Sequence, residues 1–241
     1  MSVYLGSMNH PDKIYKNPIF FILLLGLIIR VAFLISYYAS PDWARLVVDA
    51  DFHHRWAMAI SGGEIIGHDA FIRGPLYVYL LGAVYFIFGP SLLAARILGM
   101  IIGLASVWLT YLIAFRLCGQ KTALWAAMLH AFYPALIYFE SELLVEPLFL
   151  FLMECSILYF LKALESFKPK PMILTGIFIG LAAIARPIIL GLVPLYLIWL
   201  FVSNSNRRQN VKAAAIIVIS IISEILFNIF MNIFCSTQGI R

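Results

Sequence analysis

"VVDADFHHRWAMAISGGEIIGHDAFIRGPLY", Val47 to Tyr77, is the long segment of this chain that is neither apolar enough to cross a bilayer nor a plain solvated linker. It carries two neighbouring carboxylates (Asp49, Asp51), adjacent histidines (His53, His54), Trp56, and Arg73 just ahead of Pro75. Apolar runs fill most of the remaining sequence. The segment therefore reads as a polar first loop around which membrane spans are arranged.

Composition supports that reading. The chain is 63% hydrophobic and 12% charged, whereas soluble domains are about a quarter charged. The net charge of +5 would suit nucleic acid in a soluble protein. In a membrane protein, surplus lysine and arginine instead mark cytoplasmic loops, so no nucleic-acid partner is expected. Cys118, Cys155 and Cys235 lie in or beside apolar runs without a CxxC pair. That pattern supports neither a disulfide framework nor a zinc site, and they read as small packing residues.

Pro18 to Tyr38 is long enough to cross a hydrocarbon core of about 30 Å. Lys13 and Lys16 ahead of it put the N-terminus on the cytoplasmic side and make residues 39–91 an extracytoplasmic loop. Within that loop Leu76 to Phe88 is apolar but short, which predicts an interfacial or re-entrant helix. Further spans are expected over residues 92–115, 122–138, 147–161, 172–185, 187–202 and 213–234. The pair 172–185 and 187–202 reads as a hairpin, because "ARP" at Ala185 to Pro187 interrupts a run too long for one crossing. The expectation is an all-α polytopic membrane protein of about seven transmembrane helices, forming one module over residues 1–241. Ten of the seventeen basic residues then fall on the cytoplasmic side, as the positive-inside rule requires.

This topology gathers Asp49, Asp51, Arg73, Arg96, Glu140, Glu142, Glu146 and Arg186 at the outer membrane face. Ionisable groups there are costly unless they pair or face a polar cavity. If residues 49–60 are helical, Asp49 and His53 share a face at i and i+4, while Phe52, Trp56 and Ala59 or Ile60 form an apolar stripe for the membrane. A carboxylate so held has two uses, general base toward an acceptor hydroxyl or amine, or ligand to a divalent metal. A solvated loop with ordinary surface acids explains the spacing equally well. The adjacent histidines point in different directions, which disfavours a shared metal and favours an interfacial role. Arg73 suits bidentate binding of a lipid phosphate or pyrophosphate, and a headgroup anchor beside Tyr77 and Tyr79 suits it too. Glu146 before Pro147 is also explained by the preference of a helix N-terminus for an acid. Arg96 and Arg186 either neutralise these acids, bind phosphate, or serve in charge pairing. Arg30, Glu154 and Glu224 sit deeper in their spans, where interhelical pairing or snorkelling accounts for them.

At these residues the chain resembles the integral-membrane glycosyltransferases of the C-type fold, in particular bacterial members related to protein O-mannosyltransferases and the lipid A aminoarabinose transferase. "DADFHHRWA" resembles the family's first outer loop. "RGPLYVYLLGAVYFIFGPSLLAARILGMIIG", "YPALIYFESELLVEPLF" and "GLAAIARPIILGLVP" resemble three later elements, in the same order. The resemblance implies a sugar donor carried on a polyprenyl phosphate and an inverting transfer at the outer face of a bacterial inner membrane. The acceptor it implies is a lipid, polysaccharide or protein. It also implies Asp49 as catalytic aspartate with Asp51 in reserve, Glu146 as second-loop acid with Glu140 next, and Arg73 at the lipid phosphate, where Arg96 and Arg186 join it as candidates by their charge and placement alone. Two departures stand out. Gly74 follows Arg73 where the family often has proline, and family members usually continue through more spans. The chain is thus expected to lack the family's C-terminal spans, either as a catalytic module or as a truncated inactive fragment. A transport or scaffold protein is the competing class, but a transporter places its polar groups near the bilayer midplane on broken helices. Here they gather at one face, which favours the enzyme.

Overall fold

The computed structural model describes residues 18–64, 74–203 and 206–238. Among them every regular element is helical. The α-helices are α1 (Pro18–Tyr38), α2 (Asp49–Ser61), α3 (Leu76–Phe88), α4 (Leu92–Cys118), α5 (Gln120–Ala131), α6 (Pro134–Ser141), α7 (Glu146–Ser166), α8 (Pro169–Ala185), α9 (Leu192–Ser203) and α10 (Arg207–Gln238). Short 3₁₀ turns occupy Pro41–Ala44 and Pro187–Gly191.

Among the described residues four helices are long and apolar enough to cross a membrane: α1, α4, α7 and α10 as far as Phe230. A fifth crossing is made if α5 and α6 count as one span bent by 53°. The bend has a local cause. Pro134 opens α6, and the residue before a proline is driven out of the helical region, as the extended Tyr133 (φ −73, ψ 111) shows. The two legs of the expected hairpin are shorter than the other spans. At 1.5 Å per residue α8 reaches about 25 Å, and residues 187–202 divide into the 3₁₀ turn and α9. The predicted short helix over 76–88 forms with those bounds. Arg207, Arg208 and Lys212, ahead of the span expected over residues 213–234, lie in the first turns of α10.

The described chain separates into two compact units, with boundaries after Phe52, Pro90 and Pro147. In the first, α5 lies along α4. Ala123, Ala127 and Ala131, four residues apart on one face of α5, let it close on a core of Ile19, Val107 and Tyr111. Gly119, at φ +81, ends α4 and leads into α5, a conformation that favours glycine. In the second unit α8 packs against α10 through Gly176 and Gly180, a small-xxx-small pair. A Cβ on Gly176 would overlap the Ser220 side chain, and one on Gly180 would lie 2.5 Å from Glu224 Cβ. The ring of Phe160 on α7 stacks on Tyr196 of α9 at 4.2 Å, and the Ser156 and Tyr196 hydroxyls are 3.0 Å apart.

Candidate active site

In the first unit, the polar arrangement is built around a buried ion pair. Arg30 on α1 is 0% exposed and Glu140 at the end of α6 is 3% exposed. Arg30 Nε donates to Glu140 Oε2 at 2.6 Å and Nη2 to Oε1 at 2.7 Å, a bidentate fork. Nη1 completes the set by donating to the carbonyls of Ala131 (3.0 Å) and Gly26 (3.2 Å). α4 makes room with two glycines: a Cβ on Gly103 would overlap the Glu140 carboxylate, and one on Gly99 would overlap the Glu140 carbonyl oxygen. The interhelical pairing expected of Arg30 is present. Its partner is an acid that the sequence grouped with the outer-face site.

The next two residues are also held. Tyr37 O–H on α1 donates to Glu142 at 2.5 Å. Arg96, in the first turns of α4, donates from Nε to the Ser141 carbonyl at 2.8 Å and from Nη2 to the Trp43 carbonyl at 2.9 Å. Its guanidinium lies 3.9 Å from the Trp43 ring centroid and 4.9 Å from that of Tyr37, close enough for cation–π attraction. Arg96, for which the sequence left acid pairing and phosphate binding both open, therefore ties the 3₁₀ turn of the first loop to the second loop. Residues 140–142 are thus fastened to α1, to α4 and to the turn at Pro41–Ala44.

The opening stretch folds as expected in part. Val48 adopts φ +44, a left-handed conformation that is an outlier for a β-branched residue and costs about 1–3 kcal/mol. Immediately after it, α2 begins, with Asp49 and Asp51 in its first turn, both half-buried. The most buried face of α2 is Ala50, His53 and Ala57, whereas Phe52, Trp56 and Ile60 are half-buried. The His53 ring meets Tyr77 of α3 edge-on at 5.1 Å, and His54 Nδ1 is 2.7 Å from the Tyr85 hydroxyl. Gly82 of α3 lies under Ile60, whose Cγ2 would be 2.8 Å from an added Cβ. So the histidines dock α2 on α3, in place of a purely interfacial role.

Glu146 stands in the first turn of α7, and Arg186 at the break between α8 and the 3₁₀ turn, its N–H donating to the Ala182 carbonyl at 2.7 Å. Arg73 falls outside the described residues. Gly74 presses on the C-terminal end of α8: an added Cβ would overlap the Ile184 carbonyl oxygen and approach that of Ala185 to 2.9 Å. The departure from proline at this position thus has a steric reason. Among the described residues no three His, Cys, Asp or Glu side chains group so as to hold a metal ion.

The family profile for dolichyl-phosphate-mannose-protein mannosyltransferases matches residues 72–231, well over half of the chain. The chain belongs to this family. Membership makes it a C-type integral-membrane glycosyltransferase. No curated protein and no solved structure matches it. As a family member it keeps Arg73, Arg96, Glu140, Glu146 and Arg186 inside the matched region, while Asp49 and Asp51 precede it. Sequence reasoning missed Tyr37 and Trp43, which hold Glu142 and Arg96. Aromatic residues at the end of a span were the available signal, but they usually mark only the interface.

Proposed function

We propose that the protein moves a sugar from a polyprenyl-phosphate donor to an acceptor at the extracytoplasmic face of a bacterial inner membrane, with inversion at the sugar carbon. In this reading Asp49 removes the proton of the acceptor hydroxyl or amine as its lone pair attacks the anomeric carbon. The C–O bond to phosphate breaks with its electron pair, and the polyprenyl phosphate leaves. The observation that supports the role of Asp49 is its position in the first turn of α2, directly behind the strained Val48. Strain of this kind clusters at functional sites. Asp51 is the reserve base and Glu146 the second-loop acid. Arg73 and Arg186 are the residues we assign to the lipid phosphate, for which guanidinium is suited by its fork geometry. Arg96 and Glu140 we assign to positioning, since Arg96 donates to the carbonyls of Ser141 and Trp43 and Glu140 accepts the fork of Arg30.

Membership in a mannosyltransferase family, together with at least four membrane-length helices, favours this reaction over transport. The seven-span arrangement, with the N-terminus cytoplasmic, counts α8 and residues 187–202 as crossings. The direct test supplies one labelled sugar either on polyprenyl phosphate or on a nucleotide to membranes containing the protein. Transfer is expected from the first only. Transfer from the nucleotide sugar alone overturns the proposal.

A further inference from the structure

Within the second unit α8 and α10 run parallel. A Cβ on Gly176 would meet Ser220 and one on Gly180 would meet Glu224, four residues further along both helices. Carried back two turns, the same register sets Lys168, at the N-cap of α8, level with Lys212. Five cations therefore gather at one end of the pair: Lys168 and Lys170 at the start of α8, and Arg207, Arg208 and Lys212 on α10, all of them exposed. Between Ser166 and Ser223 the chain has no Asp or Glu. Among the described residues none of the five side chains makes a hydrogen bond or ion pair. Helix stability does not explain the cluster. The N-terminus is the positive end of the helix dipole, where cations are unfavourable, and like charges at i and i+4, as in Arg208 and Lys212, repel. The amide end of α10 is already capped, since Asn206 Oδ1 accepts the Gln209 N–H at 3.3 Å.

Arg207, Arg208, Val211 and Lys212 line an open cleft of about 480 Å³. From Ala213 to Phe230, α10 covers about 27 Å, close to a hydrocarbon core of about 30 Å. Lys212 then stands at the edge of the core and Arg208 one turn outside it, among the headgroups. In line with Arg208, at helical spacing, the exposed apolar side chains of Ile219, Ile222 and Leu226 continue into the core.

We infer that this end of α8 and α10 binds an anionic phospholipid of the bilayer, its phosphate held by Arg208 and Lys212 and one acyl chain laid along Ile219, Ile222 and Leu226. A guanidinium fork matches phosphate geometry, and the excess of positive charge favours a headgroup that brings no cation of its own. The apolar strip below the cations selects a lipid over a soluble phosphate. The inference does not rest on the proposed reaction: Arg186, assigned there to the polyprenyl phosphate, follows the opposite end of α8, about 25 Å away.

The test uses the full chain in phosphatidylcholine nanodiscs containing a small fraction of phosphatidylglycerol, or of phosphatidylcholine, with a diazirine in one acyl chain. The phosphatidylglycerol probe is expected to label the peptide over residues 211–226 more than the phosphatidylcholine probe does. Arg208→Gln should lower that excess about fivefold, the attraction lost with one cation at a membrane surface. Adding Lys212→Gln should lower it further, while Arg208→Lys keeps most of it. Lys168→Gln with Lys170→Gln should lower it too, through the register that sets them beside Lys212. Raised salt should weaken the excess in the parent protein, a reading that needs no variant, and unchanged labelling by phosphatidylcholine controls for folding. Equal labelling by the two probes, or an excess that neither salt nor the Arg208→Gln, Lys212→Gln pair lowers, overturns the inference. So does loss of the excess on adding soluble glycerol phosphate, which would assign the cleft to a free phosphate. No sugar transfer is measured, so failure here leaves the reaction untouched.

Discussion

Removing one member of the Arg30–Glu140 pair should cost far more than removing both. Both side chains are almost fully withdrawn from solvent, at 0% and 4% exposure, so solvent does little to screen the change. In Glu140→Leu the guanidinium loses two of its four hydrogen bonds and keeps those to Gly26 and Ala131. The expected cost is at the lower end of the range for breaking a buried pair, about 3 kcal/mol. In Arg30→Met the carboxylate loses the partner of both its oxygens, which places the cost near the upper end, about 5 kcal/mol. The double variant leaves no buried charge and two apolar side chains of similar length. It should lie within about 1 kcal/mol of the parent, since replacing a buried pair by packed apolar groups is often neutral or stabilising. The cycle then gives a coupling energy larger than most neighbouring pairs show. Reversible unfolding in mixed micelles, followed by circular dichroism, measures all four corners. Single costs below about 1 kcal/mol, or costs that simply add, would refute the view that this pair holds the second loop.

Three further outcomes follow from the packing and the topology. Gly103→Ala drives a methyl group into the Glu140 carboxylate and should destabilise the protein by about 1–3 kcal/mol, read by the same unfolding assay. Gly74→Ala meets the fixed carbonyl of Ile184, and a cost in the same range is expected; unchanged stability would mean that α3 and α8 do not approach so closely. Single cysteines at positions 42 and 168, in a background without native cysteines, should label from opposite faces of the membrane, with position 42 outside; labelling of both from one side would break the proposed topology.

Much of the helical framework was legible because a span announces itself by length. α1 begins at Pro18 and ends at Tyr38 as expected, α3 occupies 76–88, and Pro187 marks the end of α8. Those boundaries depend only on local apolarity and on where a proline is tolerated. The bend between α5 and α6 was missed, although Pro134 signalled it, because the apolar run continues through it. Which of Glu140, Glu142 and Glu146 turns inward was not legible, since it depends on the phase of the short α6 after that bend. The partner of Glu140 is 110 residues away, and no spacing rule reaches so far. For the same reason the role of Arg96 stayed open between acid pairing and phosphate binding: its partners are carbonyls at Ser141 and Trp43, which any residue type supplies. Glycines 99, 103 and 180 carry no signal of their own, because each matters only through the group it admits. Asp49 could be placed by sequence at the start of a helix, but the strain at Val48 beside it could not.

The most direct test of the proposed chemistry is sugar transfer from a polyprenyl-phosphate donor by Asp49→Asn, compared with the parent protein at matched expression and membrane insertion. Loss of the general base should lower the rate by about 10²–10⁴-fold, with donor binding retained. Transfer at the parental rate would contradict the assignment of Asp49.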